Sequence, residues 1–379
     1  RPLPIRVPQA DLIDLARRID STRLPERETV DEGATGIDRW VQGTPRADLA
    51  QLLDHWRNRY NWRAFEGRVN ASGPIITSID GLDIHALHVC SSRPDATPLL
   101  LTHGWPGSIG EFTDVLPELA NPADENEPAF HVVVPSLPGF GFSGKPRATG
   151  WGVERIARAW VVLMERLGYD RFLAHGGDWG GIITTVLGGR FRQHVIGVHT
   201  TVAQPPLGLS LTGLTPRERE WVERSRAFWG QRAAYAKVQA SSPQTLGYGL
   251  ADSPAGQLAW ILEKFSLWTD SDGSPVDVVG ADRILDTATL YWLTNSGASS
   301  ARIYTESHAS LDPGLRVDVP AAVCTYPHDI ERWPRAWAEQ RFRRIVHWQE
   351  ASSGGHFASL EPEFFLHDLR QGLAAVLSQ

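Results

Sequence analysis

Four short segments of this chain are apolar on both faces when written as strands: 98–102, 130–134, 171–174 and 195–199. Strands apolar on both sides belong in a parallel sheet with helices on each face, and few other folds accept them. Stretches with helical spacing separate them, notably Glu154–Leu167. Strand and helix therefore alternate, which makes the chain α/β. Two further strands, 75–79 and 82–89, precede the set, and two more, Val317–Thr325 and Arg344–Gln349, follow it before a final helix, Pro362–Leu377. Residues 1 to about 70 read as helical and polar, with apolar spacing over Pro8–Ile19 and Ala47–Trp56. From Pro205 to about Ser300 the pattern is helical again, over Arg217–Ala236 and Ala255–Trp268, with a polar loop at Thr269–Ser274. A helical block inserted between sheet strands reads as a lid over the carboxyl edge, where open α/β sheets hold ligands. The expected organisation is an N-terminal helical segment over 1–70, a core over 71–204, a lid over 205–300 and the rest of the core over 301–379.

Composition removes several function classes. Cys90 and Cys324 are the only cysteines of 379 residues, too few for a disulfide framework or a cysteine zinc site. The net charge is −7 and no basic stripe stands out, so nucleic acid is not an expected partner. No apolar run reaches the roughly 18 residues of a membrane span, and no signal-peptide core follows Arg1. The simplest expectation is a reduced, soluble, cytoplasmic protein. Fifteen tryptophans suggest an aromatic-lined pocket.

Four loops carry residue types that do chemistry. The first is Leu173-Ala-His-Gly-Gly-Asp178-Trp179-Gly-Gly181. A strand running through Gly-x-Asp-x-Gly into a helix has the layout of a nucleophile elbow, with Asp178 where serine hydrolases carry serine. The helix dipole keeps such a carboxylate ionised. The bland alternative is an Asp that caps a helix. The second is His103-Gly-Trp105-Pro-Gly-Ser108 after an earlier strand. In an elbow fold this loop supplies one oxyanion donor, so the backbone N–H groups of Trp105 and Trp179 form the expected pair. His103 itself reads as structural. The third is Gly354-Gly-His356, whose glycines let an imidazole reach over the sheet edge as a general base. The fourth is Tyr326-Pro-His-Asp329, where an acid can orient the His356 ring. Glu331 and Glu350 compete with Asp329 for that place. Gly139-Phe-Gly-Phe-Ser-Gly144 matches a dinucleotide fingerprint, but Lys145-Pro146 follows where a helix must start, so a tight turn is expected there.

Together, His103-Gly-Trp-Pro-Gly-Ser, Gly-Gly-Asp178-Trp-Gly-Gly and Gly-Gly-His356-Phe-Ala resemble the microsomal-type epoxide hydrolases of the α/β-hydrolase superfamily, over almost the whole chain. The resemblance implies an α/β-hydrolase fold, a mostly parallel sheet flanked by helices, with a helical lid and an N-terminal helical segment lacking the animal members' membrane anchor. Soluble bacterial members are similar, and some serve natural-product pathways, including enediyne antibiotics. It implies Asp178 as nucleophile and His356 as base. The family's acid lies in Phe-Pro-x-Glu; here Tyr326-Pro327-His328-Asp329 puts Asp in its place. Two lid tyrosines hold the epoxide oxygen in the family. Tyr304 matches one and Tyr235 the other, with Tyr248 a rival for the second.

The implied reaction is attack of Asp178 on an oxirane carbon, protonation of the oxygen by neutral phenols, and hydrolysis of the ester by His356-activated water to a vicinal diol. No metal or organic cofactor is required. The expected partner is a small epoxide, bulky or aromatic, with a homodimer as the default assembly. The nearest rival is a haloalkane or haloacid dehalogenase, which shares the Asp-Trp pair but wants N–H donors for halide. A catalytically inactive binding protein on the same fold is the non-enzymatic alternative.

Overall fold

The computed structural model describes residues 1–307 and 312–379. Eight strands build one sheet: β1 (Pro74–Ile79), β2 (Leu82–Val89), β3 (Thr97–Thr102), β4 (Phe130–Pro135), β5 (Phe172–Gly176), β6 (Val195–Thr200), β7 (Ala321–Thr325) and β8 (Ile345–Glu350). Their order is β1-β2-β4-β3-β5-β6-β7-β8. The β1–β2 and β2–β4 pairings are antiparallel, and every pairing from β4 to β8 is parallel. Asp80 and Gly81, both at positive φ, close the β1–β2 hairpin as a two-residue turn requires.

Alternation along the central strands divides the interior in two. Leu100, Val133, Ala174 and Val198 point into one core with the helices Val153–Arg166 and Asp178–Arg190. Leu99, Leu101, Val132, Val134 and Leu173 point into the other, with Trp62–Ala71, Leu116–Ala120 and Pro362–Leu377. Each such side chain, fully buried, contributes about 1.5–3 kcal/mol. This is the mostly parallel sheet with both faces covered that the resemblance implies.

Between β6 and β7 lie seven helices among the described residues, from Pro216–Gln231 to Gly297–Ser307. The last of them carries Tyr304 and runs past residue 300. Two expected elements differ. The helix expected over Arg217–Ala236 is two helices, Pro216–Gln231 and Ala234–Ser241, parted by a turn at Arg232 and Ala233. The strand expected from Val317 begins at Ala321, because Pro320 has no N–H for a ladder; Val317 forms only an isolated bridge to Phe342.

The N-terminal segment folds as Gln9–Asp20, Arg46–Asn58 and Trp62–Ala71 and packs against the lid. Trp40 Nε1 donates to the Gly273 carbonyl at 3.0 Å, and Thr44 Oγ1 to that of Ala259 at 2.8 Å. His55 meets Asp282 at 2.7 Å, Tyr60 donates to Asp286 at 2.7 Å, and Arg68 pairs with the same carboxyl. Among the described residues no helix is long and apolar enough to cross a membrane.

Candidate active site

Strand β5 ends at Gly176 and the helix Asp178–Arg190 begins two residues later, so the turn between them is sharp. Asp178 takes its corner at φ 48°, a left-handed conformation that costs a non-glycine residue about 1–3 kcal/mol. Close backbone approach explains the neighbouring glycines. A Cβ on Gly180 would lie 1.9 Å from the Thr102 carbonyl oxygen, and one on Gly104 2.2 Å from Asp178 Oδ1. The strained corner thus stands against the loop after β3. There the Trp105 N–H donates to Asp178 Oδ1 at 2.7 Å. The Trp179 N–H lies in the first helical turn, where backbone donors have no intrahelical acceptor.

His356 Nε2 stands 3.3 Å from Asp178 Oδ2, and its Nδ1 is 2.7 Å from Asp329 Oδ1. That oxygen also accepts the Ile330 N–H at 2.6 Å. The His356 N–H donates to the Trp268 carbonyl at 2.7 Å, which fixes the loop carrying it. Burial alone would push the imidazole down, but the Asp329 and Asp178 carboxylates outweigh it and hold the ring up at about 10. The two carboxylates thus favour the protonated form of the resting ring. The competing acids stand elsewhere. Glu350 pairs with Arg217 and Arg332, each at 3.3 Å, and Glu331 accepts indole N–H groups from Trp229 and Trp333.

Tyr235 and Tyr304 are both buried, their ring centroids 5.9 Å apart. Trp105 stacks on Tyr235 at 5.3 Å, and Trp179 meets Tyr304 edge-on at 4.8 Å. Burial, followed for Tyr235 by the Asp178 charge and for Tyr304 by Tyr235 and then Asp178, raises both phenols well above their ordinary value, so both are neutral donors. Tyr248, the rival, is 71% exposed on the lid surface and does not reach this cavity. His103 is buried with its ring between the Gly104 carbonyl and the Leu137 N–H, a structural role. Gly139 and Gly141 take positive φ in a tight turn, and the Gly139 carbonyl accepts from Ser299 on the helix that bears Tyr304.

Asp178, His356 and the two tyrosines face one cavity of about 700 Å³, with apolar walls that include Trp179, Ile182 and Trp333. On the other side of Asp178 is a second cavity of about 20 Å³, room for one water, lined by Glu111, His175, His356 and Ser359. Glu111 was not anticipated. Its carboxyl closes a capping box with Ser108, and burial pushes it up to about 7. The signal for it is the Ser108-Ile-Gly-Glu111 spacing. Trp268, fully buried against both His356 and Tyr235, was also missed, and no sequence signal marks it.

Residues 1–112 match the family model described as "Epoxide hydrolase N terminus", and residues 97–247 match "alpha/beta hydrolase fold". A Stigmatella aurantiaca protein named "Putative epoxide hydrolase" is 46% identical, over 98% of this chain and 84% of that protein. Epoxide hydrolase 1 of Sus scrofa is 32% identical over 100% of this chain and 89% of its own length. Among solved structures, an Aspergillus niger epoxide hydrolase superposes with a TM-score of 0.89 at 32% identity, covering 99% of this chain and 96% of that one. Juvenile hormone epoxide hydrolase of Bombyx mori gives 0.92 at 29% identity, covering 100% and 95%.

Proposed function

This chain belongs to the epoxide hydrolase family, and from that premise we propose that it opens an oxirane to a vicinal diol through a covalent ester on Asp178. One observation supports the mechanism: Asp178, His356, Tyr235 and Tyr304 face the same cavity. Asp178 Oδ1 stays on the Trp105 N–H, and Oδ2 attacks a carbon of the ring. The C–O bond breaks and the oxygen takes a proton through Tyr235 and Tyr304, while the His356 imidazolium supplies the compensating proton. The products of this half are an ester, an alcohol and a neutral His356.

Esterification removes the negative charge at Asp178, one of the two that hold His356 protonated. The ring is then a base. It takes a proton from a water, and the hydroxide adds to the ester carbonyl. The small cavity beside Glu111 and His356 is where such a water fits. The oxyanion develops against the Trp105 and Trp179 N–H groups; losing one such donor typically costs about 3 kcal/mol. Collapse expels the diol and restores carboxylate and imidazolium. Paired phenols, rather than paired indole N–H groups, at the leaving atom support an oxygen leaving group over a halide. The volume and aromatic walls of the large cavity support a bulky or aryl epoxide.

A single turnover in heavy-oxygen water tests this reading. The label is expected in the Asp178 carboxyl and absent from the first diol released. Direct appearance in the diol contradicts the ester.

A further inference from the structure

Glu331 faces the large cavity with His356 but takes no step in the mechanism. It is also the only acidic side chain besides Asp178 among the described residues lining the large cavity. Its Oε1 accepts Trp229 Nε1 at 2.7 Å and its Oε2 accepts Trp333 Nε1 at 3.2 Å. No arginine, lysine or histidine pairs with it among the described residues; its bonded partners are the two indoles. A carboxylate oxygen accepts two hydrogen bonds, so each oxygen retains one vacant acceptor position. The tryptophans that hold it line the same cavity, which is otherwise mostly apolar. A carboxyl group set in apolar surroundings and held by neutral donors costs stability unless something further satisfies it. Burial drives this one up to about 7, as expected of a group without a counter-ion. Ile330, beside it in sequence, bonds through its N–H to Asp329, so Glu331 is carried on the segment that orients the base.

We propose that Glu331 is a substrate-recognition residue, accepting a hydrogen bond from a hydroxyl or amine group carried on the substrate at the end remote from its oxirane. The inference rests on the epoxide reading above and names the substrate class: a bulky, largely apolar epoxide with one distal donor. A substrate that carries the donor adds a hydrogen bond to this half-buried carboxyl, whereas an apolar end covers it and supplies none, which disfavours the analogue lacking the donor. Lys237 and Arg341 also line the cavity and disfavour a cation there; the Trp229 and Trp333 rings favour one. Hydroxyl and amine are therefore separated by experiment.

The test is a matched set of phenyl glycidyl ethers with para-ethyl, para-hydroxymethyl or para-aminomethyl groups, the last as its ammonium salt, scored by kcat/KM for diol formation. The full chain is expected to prefer at least one donor-bearing ether over the ethyl ether by tenfold or more. A hydroxyl preference should persist in Glu331→Gln, which keeps a carbonyl acceptor, and disappear in Glu331→Leu. An ammonium preference should already disappear in Glu331→Gln. Equal turnover of all three ethers by the wild type overturns the proposal without any variant. A preference that survives Glu331→Leu overturns it as well. Diol from none of the three overturns the epoxide reading, and this inference with it.

Discussion

In the proposed reaction, alkylation of Asp178 and proton traffic through His356 are coupled at the residue scale, because the imidazole stands against the carboxyl that would be alkylated. Carboxylates on both sides favour the protonated imidazole, and an ester on Asp178 would remove one of them. In the same proposal the phenols contribute at an earlier moment. Neither is ionised in the resting site, so each can donate to the oxygen as the C–O bond stretches. Removing one donor from a developing oxyanion typically costs about 3 kcal/mol, roughly 10²-fold in rate. Tyr304→Phe and Tyr235→Phe should each slow ester formation by about that factor, measured by quenched-flow mass spectrometry of the protein adduct. Apparent substrate affinity should change far less. An unchanged alkylation rate in either variant removes that tyrosine from the chemistry.

At the scale of elements, the elbow depends on a strand and a helix passing closer than side chains allow. Gly180 has the Thr102 carbonyl where a Cβ would go, at 1.9 Å. Gly180→Ala must push β3 away from the helix Asp178–Arg190. Overpacking of this kind costs about 1–3 kcal/mol, and contact with backbone places it at the upper end. A thermal midpoint lowered by several degrees is expected, together with lost activity, since Trp105 and Asp178 move apart; an unchanged midpoint contradicts it. Much of this element was readable beforehand, because strand, glycine spacing and helix follow one another along the chain. Strand β2 and the helix Pro362–Leu377 have the bounds their periodicity predicts. Strand β7 is shorter than its apolar run predicts, because that run passes through Pro320, which has no N–H to give the ladder. Tyr235 could be named by resemblance alone. Its place beside Tyr304 arises from a break at Arg232–Ala233 that carries no proline and only a nearby glycine. Trp268 and the indole partners of Glu331 come from separate segments, and their meeting is a property of the lid's packing.

The whole molecule holds several buried acids above their ordinary range. Burial puts Glu111 and Glu331 at about 7 and Asp286 at about 6. The folded state therefore binds protons that the unfolded chain has released between about pH 4 and 7, and stability must fall as pH rises through that window. His356, held at about 10 against 6.5 unfolded, acts in the same direction. Its contribution is complete below 6.5 and is lost as pH rises through 10. The urea midpoint should thus decline from pH 5 to pH 9, and Glu111→Gln should flatten the first part of that decline; a midpoint rising toward neutrality contradicts the assignment. The ties between the N-terminal segment and the lid act over the same length scale. Five of them, from Trp40, Thr44, His55, Tyr60 and Arg68, would have to part before the roof could tilt. At about 1 kcal/mol each, they keep a tilted form to roughly one molecule in several thousand. A substrate too bulky to enter with the roof in place would have to part these ties first.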